Sequence, residues 1–150
     1  MSTTTAPATT LVNETQLRNG IMPRAQLSLA ACEIALRKTN NADVRQFAEW
    51  ELMEATTVIQ VLKDLETAAP PIGAEAKGFL EKLESMDEET FNAEFMQAEL
   101  SNHEFLRDLA KDYIDGFDGT VTETWHVANL AHFAFTEHVG LCRNILDGLE

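Results

Sequence analysis

The sequence predicts an all-α fold, an antiparallel four-helix bundle with one short extra helix between its second and third long helices. Three observations carry that expectation. Apolar residues recur at helical spacing almost throughout, and no segment sustains the period-two alternation of a half-buried strand. Two Ser/Thr-x-x-Glu patterns stand where helices would begin. Gly, Pro and Asn residues gather between the periodic segments.

The elements follow in chain order. The opening Met-Ser-Thr-Thr-Thr-Ala-Pro-Ala-Thr-Thr cannot bury enough apolar surface to offset its ordering entropy. Residues 1–20 are therefore expected to be disordered, and residues 21–150 to form the bundle domain. Pro23 suits a first helical turn, so the first long helix is expected from about Pro23 to Thr39. Asn40 and Asn41 make the turn into a second helix, Ala42 to Thr67, which Pro70, Pro71 and Gly73 stop. A short helix spans Glu75 to Leu83. Ser85 and Glu88 read as a capping box for the third long helix, ending near Asp115. Gly116 and Gly119 bracket the next turn, and Thr120 with Glu123 reads as a second box, opening a fourth helix to about Asp147. Short turns imply two antiparallel hairpins. The long connection between the hairpins is able either to cross the bundle from end to end or to fold across one end.

Composition bounds the function. A chain of 150 residues, 45% hydrophobic, makes one domain with a real core. A net charge of −14 repels phosphates and anionic headgroups, which excludes nucleic acid and an anionic membrane surface as partners. No stretch is long and apolar enough for membrane insertion. The first basic residue is Arg18, and no apolar run precedes it. The chain therefore reads as cytoplasmic, or alternatively as a mature periplasmic form. Cys32 and Cys142 fall in helical patterns and are expected to be buried thiols.

Helical wheels then single out polar residues that point inward. In the second helix Val44, Phe47, Ala48, Ala55, Val58, Leu62 and Leu65 form an apolar face, with Glu51 near its centre and Glu54 on its shoulder. In the third, Phe91, Phe95, Ala98, Phe105, Leu106, Leu109 and Tyr113 share a face, and Glu99 with His103 joins it. In the fourth, His132 and His138 flank the face set by Trp125, Ala128, Ala131, Phe135 and Cys142. Glu33 falls between two apolar wings of the first helix. Trp50, Met53, Phe95, Met96 and Phe135 read as packing residues.

A bundle that buries these carboxylates must compensate them. One solution is a polar network, with Arg37 on Glu33 or Glu51 and with His103 or Tyr113 on Glu99. The other is a metal site built from Glu51, Glu54, Glu99, His103 and His138, with Glu33 as an extra ligand; its mixed oxygen and nitrogen donors suit iron, manganese or zinc.

At these residues the chain resembles the uncharacterised bacterial ferritin-like family of unknown function often labelled putative outer membrane protein. The segments that carry the likeness are Ala42-Asp-Val-Arg-Gln-Phe-Ala48, Phe91 through His103, and Glu137-His138. The resemblance implies a ferritin-like bundle and no established reaction. The family's helix 2 acid–His pair stands here as Glu54-Ala55, without its His. Glu51-x-x-Glu54 and Glu99-x-x-x-His103 also depart from the Glu-x-x-His motif of di-metal ferritin-like proteins, so an intact di-iron oxidase site is not expected.

Three classes of function remain. The leading reading is a non-catalytic binding or assembly protein, able to form a homo-oligomer through helix faces. The alternative is a metal-binding protein with redox or storage activity. An enzyme using Glu/His acid–base chemistry comes third, because no nucleophile–base motif or phosphate loop points to catalysis.

Overall fold

The computed structural model describes residues 11–150; the disorder expected for residues 1–10 lies outside the described residues. The described residues form five helices: α1 (Glu14–Lys38), α2 (Ala42–Asp64), α3 (Ala74–Ser85), α4 (Glu88–Asp115) and α5 (Glu123–Leu149). Among the described residues there is no strand, and no helix is long and apolar enough to cross a membrane.

Local chemistry explains where each helix starts, and it corrects three expectations. α1 begins at Glu14, well before Pro23, and so runs through the boundary placed at residue 20. Its N-cap is Asn13, whose side chain accepts from the Gln16 N–H at 2.8 Å while Gln16 Oε1 accepts from the Asn13 N–H at 2.9 Å. That reciprocal box starts the helix, and Pro23 is carried inside it. Ser85 does not cap α4. It closes α3, donating to the Lys82 carbonyl, and Asp87 caps α4 by accepting from the Thr90 N–H at 2.9 Å. Thr120 does not cap α5 either. The N-cap is Thr122, which makes no side-chain capping bond; its hydroxyl is turned toward Glu14, to which it donates. α2 starts as expected, with Asn41 accepting from the N–H groups of Asp43 and Val44. It stops at Asp64, short of Thr67, where Glu66 adopts a left-handed φ of 59°.

Three sets of contacts fix the directions of the helices. The Asn40 N–H and side-chain amide donate to Glu88 at 2.6 and 3.0 Å, which sets the α1–α2 turn beside the start of α4. Glu14 accepts from Thr122, which sets the start of α1 beside the α4–α5 turn. α1 therefore runs antiparallel to α4, and α2 runs in the same direction as α4. The α2–α4 connection must then travel the length of the molecule. It does so along α1, where Gln26 donates to the Pro70 carbonyl at 3.1 Å and Lys38 to the Glu84 carbonyl at 2.9 Å. The long connection thus crosses, and does not fold over one end.

The hairpins α1–α2 and α4–α5 pack extensively, as does α1 on α4, whereas α2 and α5 touch only sparingly. The α1–α4 seam is close at Gly20, where an added Cβ would lie 2.6 Å from Leu109 Cδ2. The open α2–α5 seam corrects part of the packing assignment: Trp50 and Met53 are exposed, together with Leu130 and Phe133. Phe105 is also exposed, and the Arg24 guanidinium covers its ring at 3.6 Å.

The core comes in two pieces. One cluster holds Ala31, Cys32, Ala35, Val44, Phe47, Phe91, Phe95, Met96 and Cys142. The other holds Leu17, Ile21, Met22, Leu62, Leu106, Tyr113, Ala128 and Phe135. Both cysteines are buried free thiols, as expected. Between the clusters lies a layer of buried polar side chains.

Candidate functional site

Four helices each contribute to that layer. α1 supplies Ser28, α2 Glu51 and Glu54, α4 Glu99 and His103, and α5 His138. Helical spacing accounts for the positions. Glu51 and Glu54 are one turn apart, as are Glu99 and His103, so each pair projects to one side of its helix. Ser28, Glu51, Glu99, His103 and His138 are all buried, and His103 is fully enclosed at 0% exposure.

Glu51 is the hub. Its Oε2 lies 3.1 Å from His103 Nε2 and 2.8 Å from His138 Nδ1, while its Oε1 accepts from Ser28 Oγ at 2.8 Å. Ser28 also lies 2.8 Å from Glu99 Oε2, so one hydroxyl joins two carboxyl groups. A single hydroxyl has one proton, and it can donate to only one of them at a time. The second short contact is satisfied when Glu99 is protonated and donates to Ser28. Electrostatics agree with that assignment. Burial, reinforced by the nearby Glu51 charge, pushes the Glu99 carboxyl up to about 7. Burial also opposes the charge on Glu51, but hydrogen bonds from His103 and His138 overrule it and hold Glu51 down at about 2. Burial likewise opposes the charge on His103. The Glu51 carboxylate outweighs that and raises its imidazole to about 9.

His103 is oriented from behind. Its Nδ1 lies 2.8 Å from the Glu99 backbone carbonyl, an obligate acceptor, so Nδ1 carries a hydrogen and Nε2 faces the cluster. Phe47 and Phe135 pack edge-on against its ring, with centroids 6.1 and 5.8 Å away. His138 Nδ1 stands 3.2 Å from His103 Nε2, and His138 Nε2 stands 3.3 Å from Glu54 Oε2. The other Glu54 oxygen, Oε1, is buried without a hydrogen-bond partner. Burial and the Glu51 charge raise the Glu54 carboxyl above its ordinary range. Glu54 and His138 face a surface depression of about 590 Å³ that Trp50 and Asn144 also line.

One ligand atom from each of Glu51, Glu54, His103 and His138 lies within 4.8 Å of the others. Glu99 stands behind this group, tied to Ser28 and 3.5 Å from His103 Nδ1. Glu33 is exposed, because α1 turns Ser28, not Glu33, toward the layer. Arg37 reaches Glu84 instead of Glu51, and Tyr113 reaches Glu14 instead of Glu99. His132 is only partly buried and stands outside the group. Ser28 is the participant that sequence reasoning missed. A serine on an apolar helix face is too common a residue to stand out by itself.

Fold and cluster together define an all-helical protein with a buried carboxylate–imidazole layer. The chain belongs to a family described as a domain of unknown function, DUF4142, whose model matches residues 1–140. No curated protein and no solved structure shows significant similarity to it.

Proposed function

We propose that the chain is a metal-binding protein of ferritin-like architecture, holding one divalent transition-metal ion through Glu51, Glu54, His103 and His138. The observation that carries this reading is the convergence of two carboxylates and two imidazoles, with donor atoms within 4.8 Å, at a buried layer. Supporting it, the Nδ1–H contact of His103 to a backbone carbonyl is the outer-shell arrangement that leaves Nε2 free as a ligand. The unpartnered Glu54 Oε1 adds an unused donor at the same place. The ferritin-like assignment rests on two antiparallel hairpins joined by a long crossover. The oxygen and nitrogen donors suit iron, manganese or zinc. Glu99 and Ser28 act on this site by holding Glu51 and His103 in place.

The test is elemental analysis after reconstitution with iron, manganese or zinc. One ion per chain is expected. His103→Ala should abolish binding, whereas Glu99→Gln should weaken it by about 10- to 100-fold. Binding should also weaken as pH falls below about 9, since a ligating imidazole must be neutral and His103 takes up a proton there in the metal-free protein. Metal that survives both His103→Ala and Glu54→Ala would overturn the assignment.

A second reading is the polar network alone, serving a binding or assembly protein. Its support is that Glu51, His103 and His138 already satisfy one another, with Ser28 joining Glu99 to Glu51. Failure of all three metals to bind would leave this account standing.

A further inference from the structure

The α2–α5 seam carries a groove that the polar layer does not explain. It has a volume of about 350 Å³, and its walls include Val58, Val61, Val127, Leu130, Ala134 and Phe135. Its charged wall residue is Glu54, which also borders the depression holding His138. Phe135 links groove and layer, its ring centroid 5.8 Å from that of His103. The surrounding sequence is unusual for so acidic a chain. Neither residues 55–62 of α2 nor residues 124–136 of α5 contain an Asp, Glu, Lys or Arg. Met53 and Leu130 stand at the groove exposed at 62% and 73%.

We infer that this groove takes a small apolar molecule with a single donor atom at one end, which reaches the metal beside Glu54 and His138. The inference rests on the metal reading above. The volume falls in the range of small-molecule sites, and the lining has their character: an apolar wall with one charged group. An anionic ligand finds no counter-charge along the walls, and the carboxylate that would attract a cation, Glu54, is the one assigned to the metal. A second copy of the chain would bring another net charge of −14 against the first. An uncharged chain of a few methylenes meets neither obstacle.

The experiment uses the full chain loaded with Co(II), whose visible spectrum reports ligation directly. The probes are 1-methylimidazole and 1-hexylimidazole, which offer the same neutral nitrogen donor with different tails. A buried methylene strengthens binding about fourfold. The hexyl probe should therefore shift the spectrum at a concentration at least about thirty-fold lower than the methyl probe. Ala134→Phe fills the groove; it should leave the Co(II) spectrum of the free protein unchanged and erase the preference for the longer tail. Equal affinity of the two probes for the wild-type protein overturns the inference while the metal reading stands. A protein that takes up no Co(II) overturns both. A dimer that Leu130→Asp converts to monomer would assign the groove to a second copy, and would also overturn the inference.

Discussion

The polar layer and the apolar cluster beside it are built on the same four helices, one turn apart, yet they hold together by different physics. In the cluster, Phe47, Phe91 and Phe95 are excluded from water and pack ring against ring, with Phe91 and Phe95 stacked at 5.6 Å. Such packing is non-directional and indifferent to pH. In the layer, Glu51 is held by two imidazoles and a hydroxyl, each aimed at a particular oxygen. Removing one member leaves the others buried and uncompensated. The difference teaches that equal burial does not mean equal robustness. The cluster tolerates a change of conditions, and the layer responds to it.

The largest expected effects test that contrast. Phe95→Ala and His103→Ala should each destabilise the metal-free protein by about 3–5 kcal/mol, the first by opening a cavity and the second by stranding Glu51. Chemical denaturation at several pH values separates them. The Phe95→Ala loss should be constant with pH, and the His103→Ala loss should shrink as pH rises toward 9. Equal pH profiles would break the contrast.

The metal-free wild type should itself lose stability as pH rises. Glu99, raised to about 7, favours the folded state only while protonated, so its contribution falls as pH rises from about 4.5 through 7. His103, raised to about 9, contributes fully below about 6.5 and loses that contribution as pH rises through 9. Glu51, held at about 2, contributes above about 4.5 and loses this as pH falls toward 2. The melting temperature should peak near pH 5 and decline steadily to pH 9. A flat profile would show that the layer is not charged as described.

Bound metal should reverse that slope. At a free concentration one hundred times its Kd, a ligand that binds only the folded chain adds about 2.7 kcal/mol. Thermal melts with zinc should show a larger gain at pH 8 than at pH 5.5, because protons compete with the metal for His103. The smallest effects concern helix starts. Asn13→Ala and Asn41→Ala should each cost about 1 kcal/mol, whereas Ser85→Ala and Thr120→Ala should cost almost nothing.

Those last pairs show how far the sequence was legible. The inward faces of α2 and α4 could be read directly, because Glu51, Glu99 and His103 interrupt otherwise apolar stripes. The helix starts were harder, since one pattern fits several residues. Ser85-x-x-Glu88 matches a capping box, but Asp87 takes the cap and Glu88 turns to Asn40. Asn13-x-x-Gln16 is a working box of the same form, hidden by the expectation that Pro23 opens the helix. α1 misled in another way. It packs against both α2 and α4, so its apolar residues spread over two wings and its polar residues give no clear inward direction. Glu33 falls between those wings yet is exposed, and Ser28, which is buried, does not stand out for the same reason. The exposure of Trp50 and Met53 depends on how far α2 stands from α5, a distance no single helix encodes.

The crossover between α2 and α4 has a consequence for the order of folding. Ser28, Glu51 and Glu54 belong to the first hairpin, and Glu99, His103 and His138 to the second. Neither hairpin can assemble the layer alone, and Glu51 meets His103 across 52 residues of chain. Each hairpin closes through a short loop and is able to form early, but the layer waits until the two halves dock. Its bonds should therefore govern how fast the native molecule comes apart more than how fast it forms. A metal ion held there would act as a clasp between two independently wound halves, lengthening the lifetime of the closed molecule.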